Sequence, residues 1–202
     1  MHDPTSLVRV SGTPTPEAVL PLLEGRLGRP YRFVEKCAST QRLIGQDAPD
    51  GETVVADHQS EGRGRLGREW DAAPGTSVLM SVCLRPAVSS ERLPELTVVA
   101  AGAVAAAIAA ETGLAPTLKH PNDVLVEGRK VAGILAEASE GRVVVGIGVN
   151  ANQAAGELPA EVRIPASSLL LESGLEVDRA RLVAAILNRL GPAIDAWATE
   201  RA

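Results

Sequence analysis

Aromatic residues are almost missing from this chain: two tryptophans, one tyrosine and one phenylalanine in 202 residues. A core made without them must be built from Ala, Val and Leu, with close packing taking the place of bulk. Cysteine is equally scarce. Cys37 and Cys83 lie far apart with no CxxC spacing, and His2, His58 and His120 are scattered. That pattern excludes a His/Cys zinc site and demands no disulfide, so free thiols in a reducing cytosol are expected. An excess of basic charge is missing too. A formal net charge of -5 argues against a general nucleic-acid binder, whose affinity rests on a broad basic surface. No apolar run reaches membrane-spanning length without small or polar interruptions, and the N-terminus has no signal-peptide pattern. A cytoplasmic protein without membrane contact is therefore expected. Repeats and low-complexity tails are absent as well.

What is present suits one domain with a substantial core: 45% hydrophobic and 22% charged residues. Thr15-Pro16-Glu17 reads as a helix N-terminus, with Gly28 as its stop. Strands are expected at Tyr31 to Lys36, Thr53 to His58 and Ser77 to Leu84, and a short helix at Gln41 to Gln46. The longest helical segment, Glu95 to Glu111, is closed by Gly113. Three strands follow, Asp123 to Val126, Lys130 to Ala138 and Arg142 to Val149, joined at Glu127-Gly128-Arg129 and Glu140-Gly141. After a short apolar turn at Ser168 to Leu171, a last helix starts near Asp178, and Gly191-Pro192 is expected to kink or break it before Trp197. Helices alternating with consecutive β-hairpins indicate an α+β or mixed α/β fold, with a central mixed sheet flanked by helices.

The most unusual segment is Gly62-Arg63-Gly64-Arg65-Leu66-Gly67-Arg68-Glu69-Trp70. Glycines let backbone N–H groups approach an anion, and guanidinium forks bind phosphate or carboxylate oxygens in pairs. A solvated basic loop is the alternative. Gly62, Gly64 and Gly67 match the dinucleotide spacing G-x-G-x-x-G, but Trp70-Asp71-Ala72-Ala73-Pro74-Gly75 reads as a turn and not as the helix such a site needs. Three further segments concentrate polar groups. Ser39-Thr40-Gln41 is either a helix cap or a ligand contact. Lys119-His120-Pro121-Asn122-Asp123 is either turn chemistry or a site. Lys130 leads the apolar run Val131-Ala132-Gly133-Ile134-Leu135 as a snorkelling edge lysine or a functional one.

In this order, with GIGVN at Gly146 to Asn150, these segments resemble the catalytic domain of biotin protein ligases over roughly Arg32 to Asn152. The resemblance implies a fold related to class II aminoacyl-tRNA synthetases and lipoate ligases. It implies two steps: biotin and MgATP give biotinyl-5′-adenylate, and a lysine of a biotin carboxyl carrier protein then displaces AMP. Carried over by residue, Ser39, Thr40, Gln41 and Gln59 would hold the biotin head group. Gly62, Arg63, Gly64 and Arg65 would close over the ligand, and Gly133 would let backbone approach it. Lys130 would meet the biotin carboxylate and the acyl-phosphate oxygens. Arg68, Trp70, Lys119, Asn122, Asp123 and Asn150 would serve ATP, with Asp123 also a ligand of Mg²⁺ and a candidate proton acceptor. Lys130, Arg65 and Asp123 would be the catalytic residues, and no covalent nucleophile is required.

Gln41 and His120 depart from that pattern, which usually has Asn and Trp there. Larger family members start with a DNA-binding domain and continue into a small C-terminal β domain. The expectation here is a single catalytic domain over 1–202 lacking both, without nucleic-acid binding. Homodimers occur in that family, so a homodimer is compatible with the resemblance. A lipoate or octanoate ligase of the same fold, or a non-catalytic biotin or adenylate binder, are the rival readings.

Overall fold

The computed structural model describes residues 12–139, 141–159 and 164–200. Seven strands form one sheet: β1 (Tyr31–Cys37), β2 (Thr53–Gln59), β3 (Ser77–Leu84), β4 (Thr117–Lys119), β5 (Asp123–Val126), β6 (Arg129–Ser139) and β7 (Arg142–Asn150). Their spatial order is β1-β2-β3-β7-β6-β5-β4. Among the described residues β1 and β2 are the one parallel pair of these strands and the other pairs are antiparallel, so the sheet is mixed as expected. The helices are α1 (Pro16–Val19), α2 (Thr40–Leu43), α3 (Leu93–Thr112), α4 (Leu169–Ser173) and α5 (Arg179–Thr199).

Strand alternation divides the sheet into two unlike faces. Val78, Met80, Val82 and Leu84 of β3, with Val143, Val145, Ile147 and Val149 of β7, enter the main core. Leu96, Ala100, Val104 and Ile108 of α3 and Leu182, Ile186 and Leu190 of α5 cover them. Alanines along α3 bring it close to the sheet, which is how a core nearly free of aromatics fills its space. The opposite face carries Ser81, Gly133, Gly146, Gly148 and Asn150 instead. It becomes the floor of a cavity.

Two expectations need correction. The first helix stops at Val19, followed by a 3-10 turn at Leu20–Leu22, and does not reach Gly28. Pro21 has no N–H to continue the ladder, and the burial of Val19 alone does not offset that loss. Pro192, by contrast, does not break α5, which runs unbroken to Thr199. Leu187, Leu190, Ile194 and Trp197 bury on both sides of the proline, so packing outweighs one missing hydrogen bond. Ser90–Thr112, interrupted by small and polar residues as read in the sequence, is nonetheless long and apolar enough to cross a membrane by length and composition. In this fold α3 packs against α5 and the sheet.

Segment 164–168 lies beside the start of β6. Lys130 N donates to Pro165 O (2.7 Å), Ser167 N donates to Lys130 O (2.9 Å), and Arg129 forks onto Glu172 of α4 at 2.7 and 2.5 Å. The hydrogen bond from Arg129 holds the Glu172 carboxyl below its ordinary 4.5. A lowered carboxyl pKa stabilises the fold above the ordinary value and ceases to do so as pH falls through the lowered one. Glu172→Gln should therefore melt earlier than wild type at pH 7. In melts taken downward through pH 4.5 the gap should narrow; a gap that stays constant would show that the charge is irrelevant.

Candidate active site

The polar segments of the sequence converge on one cavity of about 620 Å³ above the glycine-bearing face, a size typical of small-ligand sites. Its walls include Ser39, Thr40, Gln41 and Gln59 at one end, and Lys119, Asn122, Asp123, Lys130 and Asn150 at the other. Arg63, Gly64, Arg65, Arg68 and Trp70 cross between them, and Gly133 lies in the floor. Of the expected site residues only Gly62 stays out of the lining; it sits at the base of the arginine loop.

At the first end, Thr40 donates to Gln59 Oε1 through its backbone N (2.7 Å) and its hydroxyl (3.0 Å). The same hydroxyl lies 2.7 Å from Ser81 Oγ. Ser81 is fully buried and was missed in the sequence, although a serine centred in the apolar run Val78 to Leu84 is the visible signal. Ser39 occupies the N-cap position of α2 but makes no capping hydrogen bond, which removes the plain capping explanation. Gln41 reaches across to Leu135 O (3.2 Å) and lies on Gly146, where a Cβ would come within 3.1 Å of its amide carbon.

At the other end, Asn122 and Asp123 are 9% and 8% exposed, too buried for simple turn residues. Asn122 donates to Ile134 O (3.3 Å) and accepts from Arg65 (3.0 Å). Lys130 Nζ pairs with Asp123 Oδ1 at 2.7 Å and lies 5.5 Å from the Trp70 ring centre. This lysine is not a snorkelling edge residue. A β-bulge explains its direction: Val124 pairs with Ala132, Leu125 with Lys130, and Val131 is left over. Strict alternation from Ala132 would send Lys130 into the helix-side core. The extra residue re-aims it into the cavity.

Asn150, expected to serve ATP, is also engaged within the protein. It donates to Ser167 O (2.9 Å) and accepts from Gln153 Nε2 (3.1 Å), so it fixes the 164–168 segment while still lining the cavity. Gly133 also differs. A Cβ there would lie 2.9 Å from the Trp70 ring and 3.2 Å from Lys130 Nζ, and one at Gly148, directly opposite in the sheet, 2.6 Å from the indole. These glycines seat a side chain of the protein itself. Trp70 Nε1 is buried without a hydrogen-bond partner among the described residues, a donor in the cavity wall.

The arginine loop is a small hairpin. Trp70 N donates to Gly62 O (2.9 Å), Gly64 N donates to Arg68 O (2.7 Å), and Leu66 stands 90% exposed at its tip. Arg68 folds back so that its Nε meets Arg65 O (3.2 Å). Lys119 and His120 are exposed on the rim. Burial raises the thiol pKa of Cys37 and Cys83, and neither lines the cavity, which leaves no activated sulfur nucleophile there. Among the described residues no cluster of three acidic, His or Cys side chains could hold a metal by itself. Asp123 and Asn122 supply oxygen donors of the hard type, as suits a magnesium ion held mainly by substrate phosphates.

Comparison with known proteins agrees with this geometry. Residues 34–153 match the pattern of the Biotin/lipoate A/B protein ligase family. The bifunctional ligase/repressor BirA of Bacillus subtilis is 39% identical over 170 residues, covering 80% of this chain and 52% of that protein. The biotin–acetyl-CoA-carboxylase ligase of Mycobacterium tuberculosis is 40% identical over 156 residues, 73% of this chain and 56% of that one. The chain thus spans about half the length of these curated relatives. Biotin protein ligase from Aquifex aeolicus, solved in complex with biotin and ATP, superposes with a TM-score of 0.76 at 33% identity, over 83% of this chain and 71% of that one. Fold, cavity and sequence match agree that the chain belongs to the biotin/lipoate A/B protein ligase family.

Proposed function

We propose that this protein joins biotin to ATP as biotinyl-5′-adenylate and then transfers the biotinyl group to a lysine of a biotin carboxyl carrier protein. The observation that carries the reading is the arrangement of one cavity: neutral hydrogen-bonding groups at one end, cations at the other, an arginine-glycine loop across the top. Thr40, Gln59 and Ser81 suit an uncharged polar head group, and the aliphatic floor near Leu79 suits its chain. The carboxylate then points toward Lys130.

A carboxylate oxygen attacks the α-phosphorus, and the bond to pyrophosphate breaks. Two anions must meet, so the site has to supply positive charge before the reaction starts. Lys130 does so from a fixed position, held between Asp123 and the face of Trp70. Arg65, tied to Asn122, brings a second cation to the phosphate side, and Arg68 a third from the loop. Magnesium bound with ATP would be held by Asp123 and Asn122 and would offset phosphate charge during attack. In the second step the carrier amine attacks the acyl carbon and AMP leaves. Asp123 is the carboxylate near enough to Lys130 to take up the amine proton.

Pyrophosphate release from MgATP with biotin, run beside lipoate and octanoate, tests this. Release with biotin and not with the other acids is expected. Release only with lipoate or octanoate would move the protein to those ligases. Biotin binding without release would leave a binder and defeat the catalytic reading.

A further inference from the structure

Resting on that reading, we infer that Glu137 is a positioning residue, the latch that holds the arginine loop shut over the cavity through Arg63. The loop belongs by chain to β2 and β3, yet the Arg63 guanidinium crosses to β6, 74 residues away in sequence. There it meets Glu137 in a paired fork, Nη1 to Oε2 at 2.9 Å and Nη2 to Oε1 at 2.7 Å. Glu137 follows Gly133 and Leu135 on the cavity face by alternation, but does not itself line the cavity. It touches the loop and not the ligand space.

The three loop arginines are thereby divided. Arg65 turns to Asn122 and Arg68 turns back on the loop, while the charge of Arg63 is matched by Glu137. An arginine that looks like a ligand cation in sequence acts here as a fastener. The two side chains are 43% and 39% exposed, so the pair is weak and screened by salt. That strength suits a lid which must open in every cycle, to admit ATP and biotin and then the carrier lysine. The two-bond fork supplies direction where a single contact would not.

Glu137→Gln keeps the size and removes the charge. Trypsin cuts after arginine, so cleavage at Arg63, Arg65 and Arg68, read by intact mass, reports loop opening without any ligand. The variant should be cut there about three to five times faster than wild type at low salt, with an unchanged melting temperature. Raising NaCl to about 0.5 M should bring wild type close to the variant. With biotin and MgATP, the escape of biotinyl-adenylate into solution should rise by a similar factor while its formation at saturating biotin stays level. Equal cleavage of both proteins would overturn the latch, whatever the activity. Faster cleavage without faster escape would overturn its role in retaining the intermediate. Faster cleavage in a protein that forms no adenylate would leave the latch standing and sink the ligase reading instead.

Discussion

Lys130→Ala is expected to lower adenylate formation by about a thousandfold, the upper range for removing one preorganised donor aimed at developing charge. The effect should fall on the rate at saturating ligand more than on biotin affinity, because the ammonium meets its strongest demand when carboxylate and phosphate come together. A stability effect accompanies it. Lys130 is the partner of Asp123, whose side chain is only 10% exposed, and the alanine leaves that carboxylate without its counter-charge. Thermal melts should therefore drop by a few degrees. Lys130→Arg separates the two effects: it keeps the charge and should recover most of the stability. Its planar fork is too broad for the place between the Trp70 ring and Asp123, so little of the rate should return. ATP–pyrophosphate exchange and melts on the three proteins decide the matter. Near-normal exchange by the alanine variant would remove Lys130 from the chemistry.

Gly62→Ala is the second large effect, and it concerns binding. A Cβ at Gly62 would come 2.1 Å from the carbonyl oxygen of Trp70. The obstacle is backbone, so no rotamer change relieves it. The two strands of the hairpin must separate, which breaks the bond from Trp70 N to Gly62 O and lifts the indole from its seat on Gly133 and Gly148. We expect the KM for biotin to rise at least about tenfold, the equivalent of roughly 1.4 kcal/mol, with tryptophan emission shifted to the red. The main core is not involved, so the melting temperature should barely move. Gly67→Ala is the useful comparison. Gly67 has φ +72 with nothing within 4 Å of its Cβ position, so alanine there costs about 1 kcal/mol of backbone strain at an exposed tip. A Gly67 variant as damaging as the Gly62 one would mean that loop strain, and not the clash at its base, governs binding.

The difference between these two glycines could not be read in the sequence, where both are members of the same repeat. Much else could. Ser77–Leu84 and Asp123–Val126 fall where composition and turn signals put them, and Gly113 ends α3 in the left-handed conformation. The two prolines behaved in opposite ways because their effect depends on what packs around each helix, which local sequence does not contain. The site shows the same division. Residues of unusual type, Arg63, Arg65, Asn122 and Lys130, were visible as candidates. Ser81 and Glu137 were not, since one looks like a small strand residue and the other like an outward-facing charge; only the register of β3, β6 and β7 puts them near the loop and the head-group end. Trp70 illustrates a third limit. The resemblance set it among the residues serving ATP, but its seat on two facing glycines depends on a cross-strand pairing of residues far apart in the chain.

The bulge at Val131 makes the site sensitive to strand register as well as residue type. Lys130 is the last position before the extra residue, so a straightened β6, with Val131 paired to Leu125, would turn the ammonium toward the aliphatic layer under α3, whereas deleting Val131 sets Lys130 beside Ala132 and leaves it on the cavity face. Such a straightening would change no residue lining the cavity, yet would empty the cavity of that ammonium and place a charge in the core together. Length changes near Leu66, at the tip of the loop, meet neither penalty. A lineage descending from this chain is therefore free to vary its lid by insertion, whereas the start of β6 must keep the pairing that bypasses Val131.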